Sequence, residues 1–234
     1  MFALPPAIVA GELVRLQTPQ RVVALTFDGG GDAGGAQAVL RVLRREHVRA
    51  TFFLTGHFVK SYPGLARAIG RRYLVGNHTV NHFDLTRMPI SEARREIARA
   101  AAMIQRATGR DTHPYFRFPY GARNPSTLRL ANRLGYVSVR WTVDTWGWMG
   151  RSEQSVSGAT RRVLDQLVPG EIVVMHLGAS RDRSTIDAKA LPGVIRAVRA
   201  RGYRFVTLAG VAPPRRSEDR RVWPRDPDPS SHTP

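Results

Sequence analysis

From Arg21 to Leu208 the chain alternates between two hydrophobic periods, and this alternation restricts its fold more than any other feature. Short β-branched and aromatic runs fall at Val22 to Phe27, Ala50 to Leu54, Tyr73 to Gly76, Tyr115 to Phe118, Tyr136 to Trp141, Ile172 to Met175 and Tyr203 to Thr207. Helical patterns stand between them over Gln37 to Glu46, Pro63 to Arg71, Ser91 to Thr108, Pro125 to Leu134, Val156 to Leu167 and Asp187 to Arg201. Strands separated by a helix cross over and lie parallel, so the pattern specifies an α/β fold built from βαβ units. The span is short for a complete eight-stranded barrel, which takes about 250 residues. The expected closure is a reduced, seven-stranded barrel, with an open doubly wound sheet as the second solution. In either architecture the chemistry belongs at the C-terminal ends of the strands.

Residues 21–212 are therefore read as one domain, preceded by an N-terminal extension over residues 1–20. From Pro213 to Pro234 the composition shifts to six prolines, five arginines and four acids, which reads as a disordered tail. The opening stretch Met1 to Val14 lacks a basic region and is broken by Pro5 and Pro6, so it makes a poor signal peptide. No apolar run approaches the roughly 20 residues of a membrane span. There is no cysteine, which excludes disulfides and Cys-ligated zinc or iron–sulfur sites; any metal must sit on His and carboxylate. Net charge is +18, and Lys60 and Lys189 are the only lysines among 36 basic residues. Such a field suits an anionic partner, whether nucleic acid or an acidic cell-wall polymer, and equally describes a solvated arginine-rich surface. No zinc finger, RNP-like strand or helix-turn-helix pattern supports specific nucleic-acid binding.

Polar clusters follow five of the expected strands: Asp28-Gly29-Gly30-Gly31-Asp32, Asn77-His78-Thr79-Val80-Asn81-His82, Arg117-Phe118-Pro119-Tyr120, Asp144-Thr145-Trp146-Gly147-Trp148, and His176. His78 and His82 are spaced i, i+4, which on a helical turn puts both imidazoles on one face. The spacing alone describes two core-satisfied imidazoles equally well. With a carboxylate from the Asp28/Asp32 loop the pair makes a two-His, one-carboxylate site with positions left for water and substrate. The triple glycine is no phosphate loop, because no Lys-Ser/Thr follows and two acids flank it. It lets the backbone bend so that both carboxylates can face one site, although Asp28 could also cap the following helix. Arg117, among Phe116, Phe118 and Tyr120, needs a carboxylate partner if it is buried. His176 ends an apolar strand where a lone His is often a core residue. Trp146 and Trp148 suit either a core or a sugar platform.

In this order the clusters resemble the five motifs of the polysaccharide deacetylases, carbohydrate esterase family four, over roughly Val22 to Leu208. The resemblance implies a distorted (β/α)7-type barrel and a metal-dependent hydrolase that removes N-acetyl, sometimes O-acetyl, groups from sugars such as those of chitin or peptidoglycan, using zinc or another divalent ion. It implies that Asp28 is the catalytic base, that His78 and His82 ligate the metal, and that Arg117 orients the base. It also implies that the Tyr120 main-chain N–H faces the oxyanion, that Trp148 lines the pocket and that His176 is the catalytic acid. A monomer at the cell envelope or outside the cell is the corresponding expectation, with an acetylated glycan and an anionic wall polymer as partners.

Two positions depart from the family pattern. The usual metal-binding Asp falls at Gly29, and Asp32 is the favoured third ligand. The Asp that usually precedes the motif Trp and couples to the catalytic His falls at Gly147, and Asp144 is its nearest replacement. These losses make a non-catalytic glycan-binding barrel the second reading.

Overall fold

The computed structural model describes residues 12–209. The expected tail at 213–234 and the first eleven residues lie outside that range. The strands are β1 (Val22–Gly29), β2 (Thr51–Leu54), β3 (Leu74–Asn77), β4 (Tyr115–Phe116), β5 (Val137–Ser138), β6 (Val143–Asp144), β7 (Glu171–His176) and β8 (Arg204–Val206). The helices are α1 (Ala36–Arg45), α2 (Gly56–Ser61), α3 (Pro63–Gly70), α4 (Ile90–Thr108), α5 (Pro125–Arg133), α6 (Val156–Asp165) and α7 (Ile186–Ala200). Every ladder is parallel, along the path β5-β4-β3-β2-β1-β7-β6, with β8 pairing the start of β1. This is the expected distorted barrel, left open between β5 and β6. No helix among the described residues is long and apolar enough to cross a membrane.

All eight residues of β1 are buried, as a central strand covered on both sides requires, which explains its continuous apolar run. The helices obey local chemistry that is visible in the sequence. Gly109, at φ 70°, ends α4 in the left-handed conformation that glycine adopts freely. Asn124 and Thr127 form a reciprocal capping box on α5, with Pro125 in its first turn.

Two local features differ from the sequence reading. Helix α2 is six residues long, too short for periodicity to reveal, and is held by Thr55, whose hydroxyl accepts from Phe58 N at 2.9 Å. The strand expected over Tyr136 to Trp141 shortens to Val137–Ser138, which pairs with β4, and a strand not expected from the sequence, Val143–Asp144, lies beyond it against β7. Residues 12–16 fill the gap between them. Leu13 N donates to Ser138 O and Arg140 N to Leu13 O, both at 2.8 Å, and Leu16 N reaches Gly170 O at 2.8 Å. Glu12 pairs with Arg123 and accepts from Ser138 Oγ. The N-terminal segment thus supplies the pairing that the two short edge strands do not give each other.

Because all strands run the same way, Asp28, Asn77, Phe116, Asp144 and His176 arrive together at one rim. The register places Asp28 beside His176 and Asn77 beside Phe116.

Candidate active site

Asp28 and Arg117 form the floor of the rim. Arg117 is fully buried and points one guanidinium nitrogen, Nη1, at Asp28 Oδ1, 2.6 Å away. Its Nε and Nη2 donate to Val139 O at 3.2 Å and Arg140 O at 3.1 Å, and its guanidinium carbon lies 4.1 Å above the Phe53 ring. A buried cation survives only when paired and hydrogen-bonded in this way. Burial pushes the Asp28 carboxyl up, but the charges of Arg117, His78 and His176 and the Arg117 hydrogen bond more than offset it. The net shift is downward, so Asp28 is an anion at neutral pH.

His78 and His82 meet above this pair, their Nε2 atoms 3.1 Å apart, with His78 Nε2 3.5 Å from Asp28 Oδ2. No helical turn carries them. Thr79 and His82 both take the left-handed conformation, at φ 67° and 61°, and the chain folds back on itself. Glu96 of α4 clamps that turn by accepting from Val80 N, Asn81 N and Asn81 Nδ2. Asn77 ties its base by donating to Ile97 O and accepting from Thr79 N. Among the described residues Thr79, His82, Tyr120 and Trp146 are four of the six non-glycine residues with positive φ, so the backbone strain concentrates around this site.

His78 Nδ1 lies 2.8 Å from Arg117 O, a contact that places the ring proton on Nδ1 and leaves the Nε2 lone pair facing His82. Burial lowers the pKa of both imidazoles; that of His82 falls to about 3, burial first and the His78 charge second. Two neutral imidazoles on one tetrahedral zinc stand about 3.3 Å apart at Zn–N distances of about 2.0–2.1 Å. The observed pair fits such an ion.

Asp32 is not gathered with the two histidines. Its Oδ1 accepts from Gly34 N at 3.2 Å, and its buried Oδ2 has no hydrogen-bond partner. Among the described residues no group of three His, Asp or Glu side chains forms a metal cage. Gly29 brings no carboxylate to replace it, and a Cβ there would crowd the side-chain ends of Leu54, Phe58 and Leu177, the nearest being Leu54 Cδ2 at 2.8 Å.

Across the rim, Tyr120 adopts φ 58° and ψ 5°, its ring edge-on to His82 at 4.6 Å. Among the described residues its N–H finds no backbone acceptor. Asp144 holds the tryptophan loop, Oδ1 accepting from Trp146 N at 2.8 Å and Oδ2 from Trp148 Nε1 at 3.2 Å. Burial raises its pKa. The Trp148 and His176 rings are 6.4 Å apart. Asp187, in the first turn of α7, touches His176 directly: Oδ2 accepts from His176 N at 2.7 Å and lies 3.6 Å from Nδ1. The sequence reading missed this residue. An acid in the first turn of a helix reads as a dipole partner, and only the fold carries that turn to the end of β7.

These groups surround a cleft of about 600 Å³ lined by Asp28, Asp32, His78, His82, Tyr120, Asp144, Trp148 and His176. Of the expected site residues only Arg117 is absent from the lining, being buried beneath Asp28.

Comparison with known proteins gives consistent matches. Residues 15–139 match the family model described as polysaccharide deacetylase. The chain is 32% identical over 192 residues to peptidoglycan-N-acetylmuramic acid deacetylase PdaA of Bacillus subtilis, covering 82% of this chain and 71% of that protein. It is 31% identical over 210 residues to a chitooligosaccharide deacetylase of Azorhizobium caulinodans, covering 86% and 99%. A solved CE4 family pseudoenzyme from Bacillus anthracis superposes with a TM-score of 0.77 at 26% identity, over 85% of this chain and 67% of that one.

Proposed function

The chain belongs to the polysaccharide deacetylase family, and on that premise we propose that it is a metal-dependent hydrolase removing N-acetyl groups from a polysaccharide such as peptidoglycan or a chitin-like oligomer. The observation that carries this reading is the anionic Asp28, gripped by a buried Arg117 and set beside two neutral imidazoles whose Nε2 atoms face each other at 3.1 Å. His78 and His82 would hold the ion, which when bound polarises an acetyl carbonyl and lowers the pKa of water.

The remaining work falls to the protein. Asp28 takes the proton of the attacking water as the C–O bond forms, and Arg117 keeps that carboxylate ionised and aimed. The Tyr120 N–H meets the developing oxyanion, a kind of donor whose removal costs other enzymes about 3 kcal/mol of barrier. As the C–N bond breaks, His176 delivers a proton to the departing amine and acetate is left. Several carboxylates supply what that acid requires: burial pulls the His176 pKa down, but Asp187, Asp28 and Asp144 together raise it above its ordinary value. Trp148 and Tyr120, both substantially exposed, offer faces for the sugar ring. The +18 charge supports an anionic polymer as the preferred form of the substrate.

A second reading, a glycan-binding barrel without turnover, is favoured by one observation: position 29 carries no ligand and faces apolar side chains. Acetate release from chitooligosaccharides and peptidoglycan fragments, measured with zinc and with a chelator, separates the two. The enzyme should release acetate, lose that activity to the chelator and regain it on adding zinc. Glycan binding without acetate release by the zinc-loaded chain would establish the second reading instead.

A further inference from the structure

Position 147 is glycine for a reason visible in the packing. A Cβ there would stand 2.2 Å from Asp187 Cγ and 2.3 Å from each of its carboxylate oxygens. The carboxylate of Asp187 therefore occupies the volume in which a side chain just before Trp148 would begin. Asp187 is 2% exposed, and its only ion-pair contact among the described residues is His176. Its Oδ1 and His176 Nδ1 are both buried and without a hydrogen-bond partner. Unpaired buried groups of this kind are costly, and the carboxylate oxygen nearest His176 Nδ1 is Oδ2, 3.6 Å away.

We propose that Asp187 is the positioning residue for His176, acting from the first turn of α7 in place of a carboxylate at position 147. Its contact with the ring fixes the proton on Nδ1 and turns Nε2 toward the cleft, where the acid must deliver its proton. Gly147 is then the space that admits Asp187, and its loss of a side chain is no loss of the coupled pair. This rests on the deacetylase reading for its catalytic consequence but not for its geometry.

Around His176 stand the carboxylates of Asp187, Asp28 and Asp144, and the imidazoles of His78 and His82. Asp187→Asn removes one charge from this set and keeps the shape. Proton NMR of the folded, full-length protein should then show His176 titrating about one pH unit lower than in the parent, a tenfold change in proton affinity. Turnover should fall by about 10- to 100-fold with KM little changed, and the alkaline limb of the kcat profile should move to lower pH.

A second pair of variants guards against misfolding. Gly147→Asp alone should destabilise the protein, whereas Gly147→Asp combined with Asp187→Ala should recover a high His176 pKa and more activity than Asp187→Ala by itself. An unchanged His176 titration in Asp187→Asn, or a double variant no better than Asp187→Ala, overturns the proposal. Because the titration is read without substrate, a parent protein that releases no acetate would sink the deacetylase reading and leave this test intact.

Discussion

Replacing Glu171 by glutamine should make the stability of this protein less dependent on pH, and the size of the effect follows from where the residue sits. Glu171 opens β7, at the end of the barrel opposite His176, and is 0% exposed. Its Oε2 accepts from Val168 N at 3.1 Å, while Oε1 has no partner. Burial pushes the carboxyl from its ordinary 4.5 up to about 7, opposed only by the Val168 N–H. Below pH 4.5 both folded and unfolded chains hold the proton and nothing is lost. Between there and about pH 7 the unfolded chain releases it and the folded chain does not, so stability falls as pH rises. At about 1.4 kcal/mol per pH unit, this interval is worth about 3 kcal/mol. The amide of the Glu171→Gln variant carries no such proton. The stability difference between the variant and the parent should therefore grow by about 3 kcal/mol in favour of the variant from pH 4.5 to pH 8, or about 6–12 °C in melting temperature. Any constant cost of the amide cancels in that difference. Urea unfolding across the range measures it, and a difference that stays flat with pH would refute the argument.

Other outcomes follow from the site. Arg117→Met leaves Asp28 buried without its partner and should cost about 3–5 kcal/mol in denaturant unfolding as well as acetate release; a loss under about 1 kcal/mol would mean that the pair is not structural. Gly29→Asp should lower stability, because the new side chain crowds Leu54, Phe58 and Leu177; denaturant unfolding measures it, and an unchanged midpoint would show that those side chains yield without cost. His78→Ala with His82→Ala should remove bound zinc, whereas Asp28→Asn should keep it and abolish acetate release, both read by metal analysis beside an acetate assay. Preference for anionic peptidoglycan over neutral chitin oligomers should shrink as salt is raised, since exposed charges are screened beyond about 8 Å at physiological ionic strength; equal salt sensitivity for both substrates would return the arginines to a merely solvated surface.

The sequence by itself determined the order of strands and helices, the parallel sheet and the rim at which the polar clusters meet. These depend on local periodicity and on the rule that parallel strands bring their C-terminal ends to one side. Asp28, His78, His82, Tyr120, Asp144, Trp148 and His176 were legible for that reason, each lying just past or at the end of an apolar run. Only the tertiary structure decided what depends on approach between distant segments. The short helix α2, the shortening of the expected strand to Val137–Ser138 and the extra strand Val143–Asp144 are set by neighbours, and residues 12–16 close a gap that no local pattern marks. The histidines converge through a left-handed turn clamped by Glu96 of α4, not through helical spacing. Asp32, near in sequence to Asp28, turns to Gly34, while Asp187, 11 residues past His176 and on the next helix, returns to lie against it. Spacing along the chain ranks acids by proximity in sequence, whereas the pairing of a buried imidazole is decided by which helix terminus packs over its strand.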